Sequence, residues 1–334
     1  MMRSAFRFRF TIRRHRVARR SIALTLLALL FAAPALAQKQ GGVLRVAHRD
    51  SPGNMSIHEN GTISVVMPMM GVFNNLVLYD QHVPQNSLDG WAMAELDNLI
   101  VEATREYDAY QFHRVFRLLH DFCAVQISAM YGNAMKDRLY CEAANSPLRR
   151  RAQTVMYRML VALTKLVAPM LVFTADEAWE YIQHKPDEDK DLPSVHLAML
   201  PKPSGQTVSE EQREEWKLLM DLRDQALSQI DKLTRQIGKY KALDAEVIYH
   251  VDDDVLRRKL QVYGADLEDL VGAGYWSFAE KGTEGPAVTV EVVDRREMYK
   301  TCARSWKRRP DVGQDPQFPD LTLRDAVAVR ARKS

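Results

Sequence analysis

RRRAQTVMYRMLVALTKLVAPMLVFTADEAWEYI, residues 149–182, decides how this chain is read. Val155, Met156, Met159, Leu160, Leu163 and Leu166 recur at steps of three and four, which gathers them on one face of an α-helix. Ser146-Pro147 offers a cap followed by proline in the first turn, and Pro169 predicts where the helix stops. Thr174 and Glu177 have the spacing of a capping box and predict the start of a further helix running through Ile182.

The same periodicity extends outward in both directions. Towards the N-terminus, Ala92, Leu96, Leu99, Ala103 and Tyr107 form one helical face, and Phe112, Val115, Phe116, Leu119, Phe122 and Cys123 another. These faces predict an antiparallel bundle that folds by itself over residues 91–200. Gly132 falls within it, at a cost of about 1 kcal/mol against alanine. Towards the C-terminus, Pro201, Pro203 and Gly205 mark a linker, and Ser209 and Gln212 read as a second capping box. Leu219, Leu222, Ala226, Ile230, Leu233 and Ile237 then predict a helix of roughly thirty residues. Residues 247–251 and 288–293 alternate as strands, with a short helix over 255–263 between them. The fold class is therefore mainly α: a helical bundle, then a long helix and a small α/β domain.

A composition of 46% hydrophobic and 27% charged residues over 334 positions suits a folded chain and argues against disorder throughout. The formal charge of +3 is misleading, because residues 1–37 hold eight Arg and no acid. The remainder carries 38 basic and 43 acidic residues, so any affinity for nucleic acid rests on local patches. Cys123, Cys141 and Cys302 make no Cys-x-x-Cys pair and announce no disulfide framework.

The leader suits a different protein. Arginines up to Arg20, an apolar run over residues 22–33 and Ala35-Leu36-Ala37 together predict a signal peptide at 1–37, cleaved before Gln38. The run is short for a membrane span. Gly41-Gly42, the strand-like residues 44–47 and VFNNLVLYD (residues 72–80) then resemble the start of a periplasmic peptide-binding protein of an ABC transporter, over residues 38–88.

FCAVQISAMYGNAMKDRLYC (residues 122–141), the 149–182 block and SVHLAMLP (residues 194–201) resemble consecutive parts of the anticodon-binding helical domain of bacterial isoleucyl-tRNA synthetases, a class I family. Trp216, LMDLRDQAL (residues 219–227) and IGKYKALDAEV (residues 237–247) extend the resemblance, which covers about residues 89–334. Gln126, Met130, Gly132, Asn133 and Leu200 depart from the family pattern. The resemblance implies an anticodon-binding domain at 89–203, the long helix and small α/β domain at 209–297, and a degenerate zinc-finger-like tail at 298–334.

It also implies a partner, tRNA(Ile). Lys136, Arg138, Tyr140, Arg149, Arg150 and Arg151 are candidate contacts in the bundle, and Trp306, Lys307, Arg308 and Arg309 in the tail, as cations for phosphate and rings for stacking. In the tail only Cys302 keeps one of the family's four zinc-ligand positions. Ser305, Thr322 and Asp325 occupy the others, so no zinc is expected and the tail is expected to be loose. The HIGH-like and KMSKS-like motifs with which the family handles ATP do not occur. No catalytic residue, cofactor or small-molecule site is expected, and the chain alone is expected not to aminoacylate. Two functional expectations stand: the tRNA(Ile)-binding region of an isoleucine–tRNA ligase, or an exported remnant of a transport system carrying a synthetase-derived passenger. Leader and cargo point to periplasm and cytoplasm respectively.

Overall fold

A computed structural model describes residues 82–333, apart from 183, 206–207 and 280–287. The signal peptide expected at 1–37 and nearly all of the binding-protein-like segment expected at 38–88 lie outside the described residues.

Helix α1 (Leu88–Asp108) starts where Ser87 Oγ accepts the Gly90 N–H at 3.1 Å, and it buries Ala92, Met93, Leu96, Leu99, Ile100 and Ala103. Helix α2 (Phe112–Asp121) covers less than its periodicity predicts. Only Val115 and Leu119 are buried, whereas Phe112 and Phe116 are exposed, because the helix is covered along one narrow stripe. Phe112 rests edge-on against Tyr107, with ring centroids 5.7 Å apart.

The chain then winds as a π-helix over Phe122–Tyr131 instead of continuing as α-helix. The wider winding ends with the Gly132 N–H on the Ile127 carbonyl. A Cβ at position 132 would stand 2.8 Å from that same oxygen, so glycine is the residue the π-turn accommodates. Helices α3 (Gly132–Cys141), α4 (Pro147–Val167) and α5 (Val172–Tyr181) complete the bundle. Pro147 lies in the first turn of α4, although Ser146 makes no side-chain cap.

The capping box expected at Thr174 does not form, since α5 begins before it at Val172. Asp176 works over a longer range instead, accepting from Ser194 Oγ at 2.6 Å and the Val195 N–H at 3.0 Å. The 209–212 box does form: Ser209 and Gln212 bond reciprocally at the start of α6 (Glu210–Ile237).

Beyond α6 come β1 (Ala245–Val251), α7 (Asp254–Val262), α8 (Gly264–Val271), β2 (Tyr275–Phe278) and β3 (Val288–Asp294). The sheet order is β2-β1-β3, with β2 parallel to β1 and β3 antiparallel, Ala245 standing opposite Asp294. Gly264 is required by a close approach, because a Cβ there would fall 2.0 Å from the Trp276 ring.

One apolar core runs through both halves, from Val83 and α1 through α3, α4 and α6 to Val290 in the sheet. The bundle expected over 91–200 therefore shares its main core with the α/β half, beside a smaller cluster of its own around Trp179. Arg138, 1% exposed, makes the tie explicit. Its Nη1 donates to Asp89 at 3.0 Å, Nε to Asp269 at 2.6 Å and Nη2 to Asp266. Asp266 also accepts the Leu88 N–H at 3.1 Å, and Tyr131 donates to Asp89 at 2.7 Å.

The tail is ordered too, against the expectation that it is loose. Cys302, Val312, Leu321 and Ala326 form a small core under helix α9 (Leu323–Lys333). Removing Arg138 would strand buried carboxylates, so Arg138→Met is expected to cost about 3–5 kcal/mol in urea unfolding of the full chain. A loss below about 1 kcal/mol would mean that the carboxylates are hydrated or neutral.

Candidate nucleic-acid interface

Structure divides the candidate cations by what they already hold. Arg138 is enclosed by its three carboxylates and is withdrawn as an RNA contact, as is Lys307, which is 2% exposed. The Lys307 ammonium lies between Asp137 at 3.0 Å and Glu268 at 2.7 Å, fastening the tail to α3 and α8. Arg309 grips both oxygens of Glu268 at 2.7 and 2.9 Å and stacks over Tyr275. Arg308 donates to Asp244 at 2.6 Å and to the carbonyls of Arg296 and Tyr299. Arg151 Nε stands 3.9 Å from Asp89. These cations spend their charge largely on internal acids.

Lys136, Tyr140 and Trp306 are exposed, whereas Arg149 and Arg150 are half-buried, Arg150 donating to Gln153 at 3.3 Å. Lys136 and Tyr140 are both exposed and lie four residues apart on α3, hence on neighbouring turns of one face. The tail comes to them through a residue the sequence reading missed, Arg304. Its Nη2 donates to the carbonyls of Tyr140 and Cys141 at 3.1 and 3.3 Å. Arg149 donates to the adjacent Glu142 carbonyl at 3.3 Å. Partial burial, with the charges of Arg150 and Arg304 close by, pushes the Arg149 guanidinium below its ordinary value. The cations are thus close enough to repel one another, a condition that a bound anion relieves.

Trp306 stands at the tip of the turn beside them. The Cys302 N–H bonds the Lys307 carbonyl at 2.9 Å and the Trp306 N–H bonds the Cys302 carbonyl at 3.0 Å, closing a tight loop. Trp306 takes a left-handed backbone, φ 60°, at a cost of about 1–2 kcal/mol. Trp306 is nevertheless 67% exposed, and Tyr140 60%. The patch therefore offers two open rings among repelling cations, the combination that stacks bases and meets phosphate.

Asp137 anchors this arrangement from below, holding Lys307 and both Nη atoms of Arg324. Burial alone would raise its pKa, but Arg324 and Lys307 overcome that and hold its carboxyl far below the usual range. Asp269 goes the other way: burial pushes it to about 6, with Arg138 and Lys307 limiting the rise.

Residues 89–249 match the family model of the anticodon-binding domain of tRNA ligase. Curated relatives agree with that match. The chain is 33% identical over 246 residues to the isoleucine–tRNA ligase of Petrotoga mobilis, covering 73% of this chain and 26% of that protein. It is 35% identical over 253 residues to the isoleucine–tRNA ligase of Geobacillus thermodenitrificans, covering 74% and 27%. The isoleucine–tRNA ligase of Moorella thermoacetica is 35% identical over 251 residues, covering 73% and 27%. The chain thus spans about a quarter of the length of the curated relatives it matches.

The depressed Asp137 pKa has a definite sign. Its stabilisation is complete above the unfolded value of about 3.9 and is lost as pH falls towards the folded value. The stability gap between wild type and Asp137→Asn is therefore expected to be constant near neutrality. Below about pH 4 it should close by about 1.4 kcal/mol per unit. Urea unfolding of both proteins at a series of pH values measures the gap, and one that widens in acid would contradict the assignment.

Proposed function

Starting from an anticodon-binding domain of the tRNA-ligase type at residues 89–249, we propose that this chain binds the single-stranded anticodon loop of a tRNA, by its relatives a tRNA(Ile). The contacts are Lys136, Tyr140, Arg149, Arg150, Arg304 and Trp306. One observation carries the reading: Arg304, two residues before the strained, exposed Trp306, bonds the backbone carbonyl of Tyr140 on α3, a residue that is itself exposed. Unpaired bases splayed from a loop stack on such rings, while the flanking guanidinium groups meet their phosphates. A duplex stem offers no free base faces and is less suited to the patch.

Residues after the leader are net acidic, so affinity is expected to come from few contacts and to be salt-sensitive. Four phosphate contacts on a single strand give a slope of log affinity against log salt of about −3. Replacing both Lys136 and Arg149 by alanine should flatten that slope by about 0.7 per residue. Tyr140→Ala and Trp306→Ala should each weaken binding by about 1–3 kcal/mol, with the slope unchanged. Titration of purified chain with tRNA transcripts reads both quantities. Wild-type affinity in both ring variants would return Tyr140 and Trp306 to the status of incidental surface aromatics.

The second reading, an exported remnant of a transport system, is favoured by the leader, with its arginines and Ala35-Leu36-Ala37, and by the binding-protein-like residues 38–88. Cell fractionation separates the two. Chain cleaved before Gln38 and recovered from the periplasm supports export, and full-length chain retained with cytoplasmic tRNA supports the RNA-binding reading.

A further inference from the structure

The four residues standing at the family's zinc-ligand positions meet at one atom. Cys302 Sγ donates to Asp325 Oδ2 at 3.0 Å, Ser305 Oγ donates to it at 2.7 Å and Thr322 Oγ1 at 3.0 Å. All four side chains belong to buried residues, Cys302 and Asp325 completely so. Thr322 also accepts the Asp325 N–H at 3.1 Å, which caps α9 and fixes the carboxylate at its first turn.

This donor set does not fit zinc. A closed structural site uses four thiolates or imidazoles, and here one thiol and one carboxylate stand with two neutral hydroxyls. The directions are wrong as well. Metal ligands turn lone pairs towards a shared centre, whereas these three groups turn hydrogens onto the fourth. Among the described residues no group of three or more His, Cys, Asp or Glu is arranged to hold a metal.

The carboxylate is supported from its other side. Arg324 Nη2 donates to Oδ1 at 3.2 Å, and Arg304 Nε stands 3.8 Å from the same oxygen. Burial would raise the Asp325 pKa, but Arg324 and the three donors outweigh it and hold the group below its ordinary value. Around it pack Val312, Leu321, Ala326 and the partly buried Phe318 and Val329, a shell too small to order thirty residues unaided.

We propose that Asp325 has taken over the structural role of the metal: a single carboxylate oxygen, holding the hydrogens of Cys302, Ser305 and Thr322, closes the 302–307 turn onto α9 as a metal-free knuckle. The knuckle positions Trp306 and Arg304, and it stands whether or not the patch meets RNA. Asp325 is the irreplaceable member, since it alone accepts from all the others.

The test uses the full chain. After refolding with zinc and dialysis, elemental analysis should find substoichiometric zinc, and EDTA should leave the thermal midpoint unmoved. Asp325→Asn, which removes the charge of the common acceptor, should speed hydrogen exchange at the Cys302 and Trp306 amides by about tenfold or more while the α1–α4 amides stay protected. The triple change Ser305→Cys, Thr322→Cys and Asp325→Cys should restore a four-thiolate site that binds one zinc per chain and slows exchange at those amides in an EDTA-reversible way. Stoichiometric, EDTA-sensitive zinc in the wild type would overturn the proposal. So would unchanged exchange in Asp325→Asn, or failure of the four-cysteine chain to take up zinc, which would show that the four positions do not converge.

Discussion

A buried guanidinium needs acids around it more than the acids need it, and that asymmetry organises this molecule. Arg138 has no route to water, so its charge is tolerable only while Asp89, Asp266 and Asp269 surround it. Those acids sit at the start of α1 and along α8, which fixes where the bundle meets the α/β half. An apolar interface of equal area would hold the halves together, but it would admit sliding. A planar fork with a partner on each nitrogen does not.

The tail repeats the arrangement with its own ions. Lys307 and Arg309 share Glu268, and Lys307 and Arg324 share Asp137, so α3, α8 and α9 are cross-linked through charge. Surface patch and interior network are consequently two faces of one short segment. Between Arg304 and Arg309, Trp306 faces solvent while its neighbour Lys307 faces inward, and the left-handed backbone at Trp306 reverses the direction between them.

What the sequence made legible was local. The α1, α4 and α6 faces follow from a 3.6-residue period, and the Ser209–Gln212 box from a spacing of three. Periodicity says which side of a helix is apolar but not whether anything covers it, hence the exposed Phe112 and Phe116. Thr174 forms no box because α5 already begins at Val172, a start the local capping motif does not report. Strand β2 is half-buried throughout and shows no alternation to read. At the site, Lys136, Tyr140, Arg149 and Trp306 were visible by residue type, and so was Arg138. A cation destined for phosphate and one destined for a buried aspartate look alike until the fold supplies a partner, here 128 and 131 residues along the chain. Arg304 went unseen because its partners lie on α3, 163 and 164 residues away.

The reach of the Arg138 cluster also sets an order of events at the ribosome. Asp89 and Arg138 are made early, yet Asp266 and Asp269 follow only after the whole of α6 and β1. At about 5–20 residues per second, the guanidinium waits roughly 6–26 seconds for its remaining acids. Until α8 is made, a bundle closed around Arg138 would leave its guanidinium with Asp89 but without Asp266 and Asp269. The contact that gives the finished fold its register is thus complete only once the C-terminal half of the chain exists.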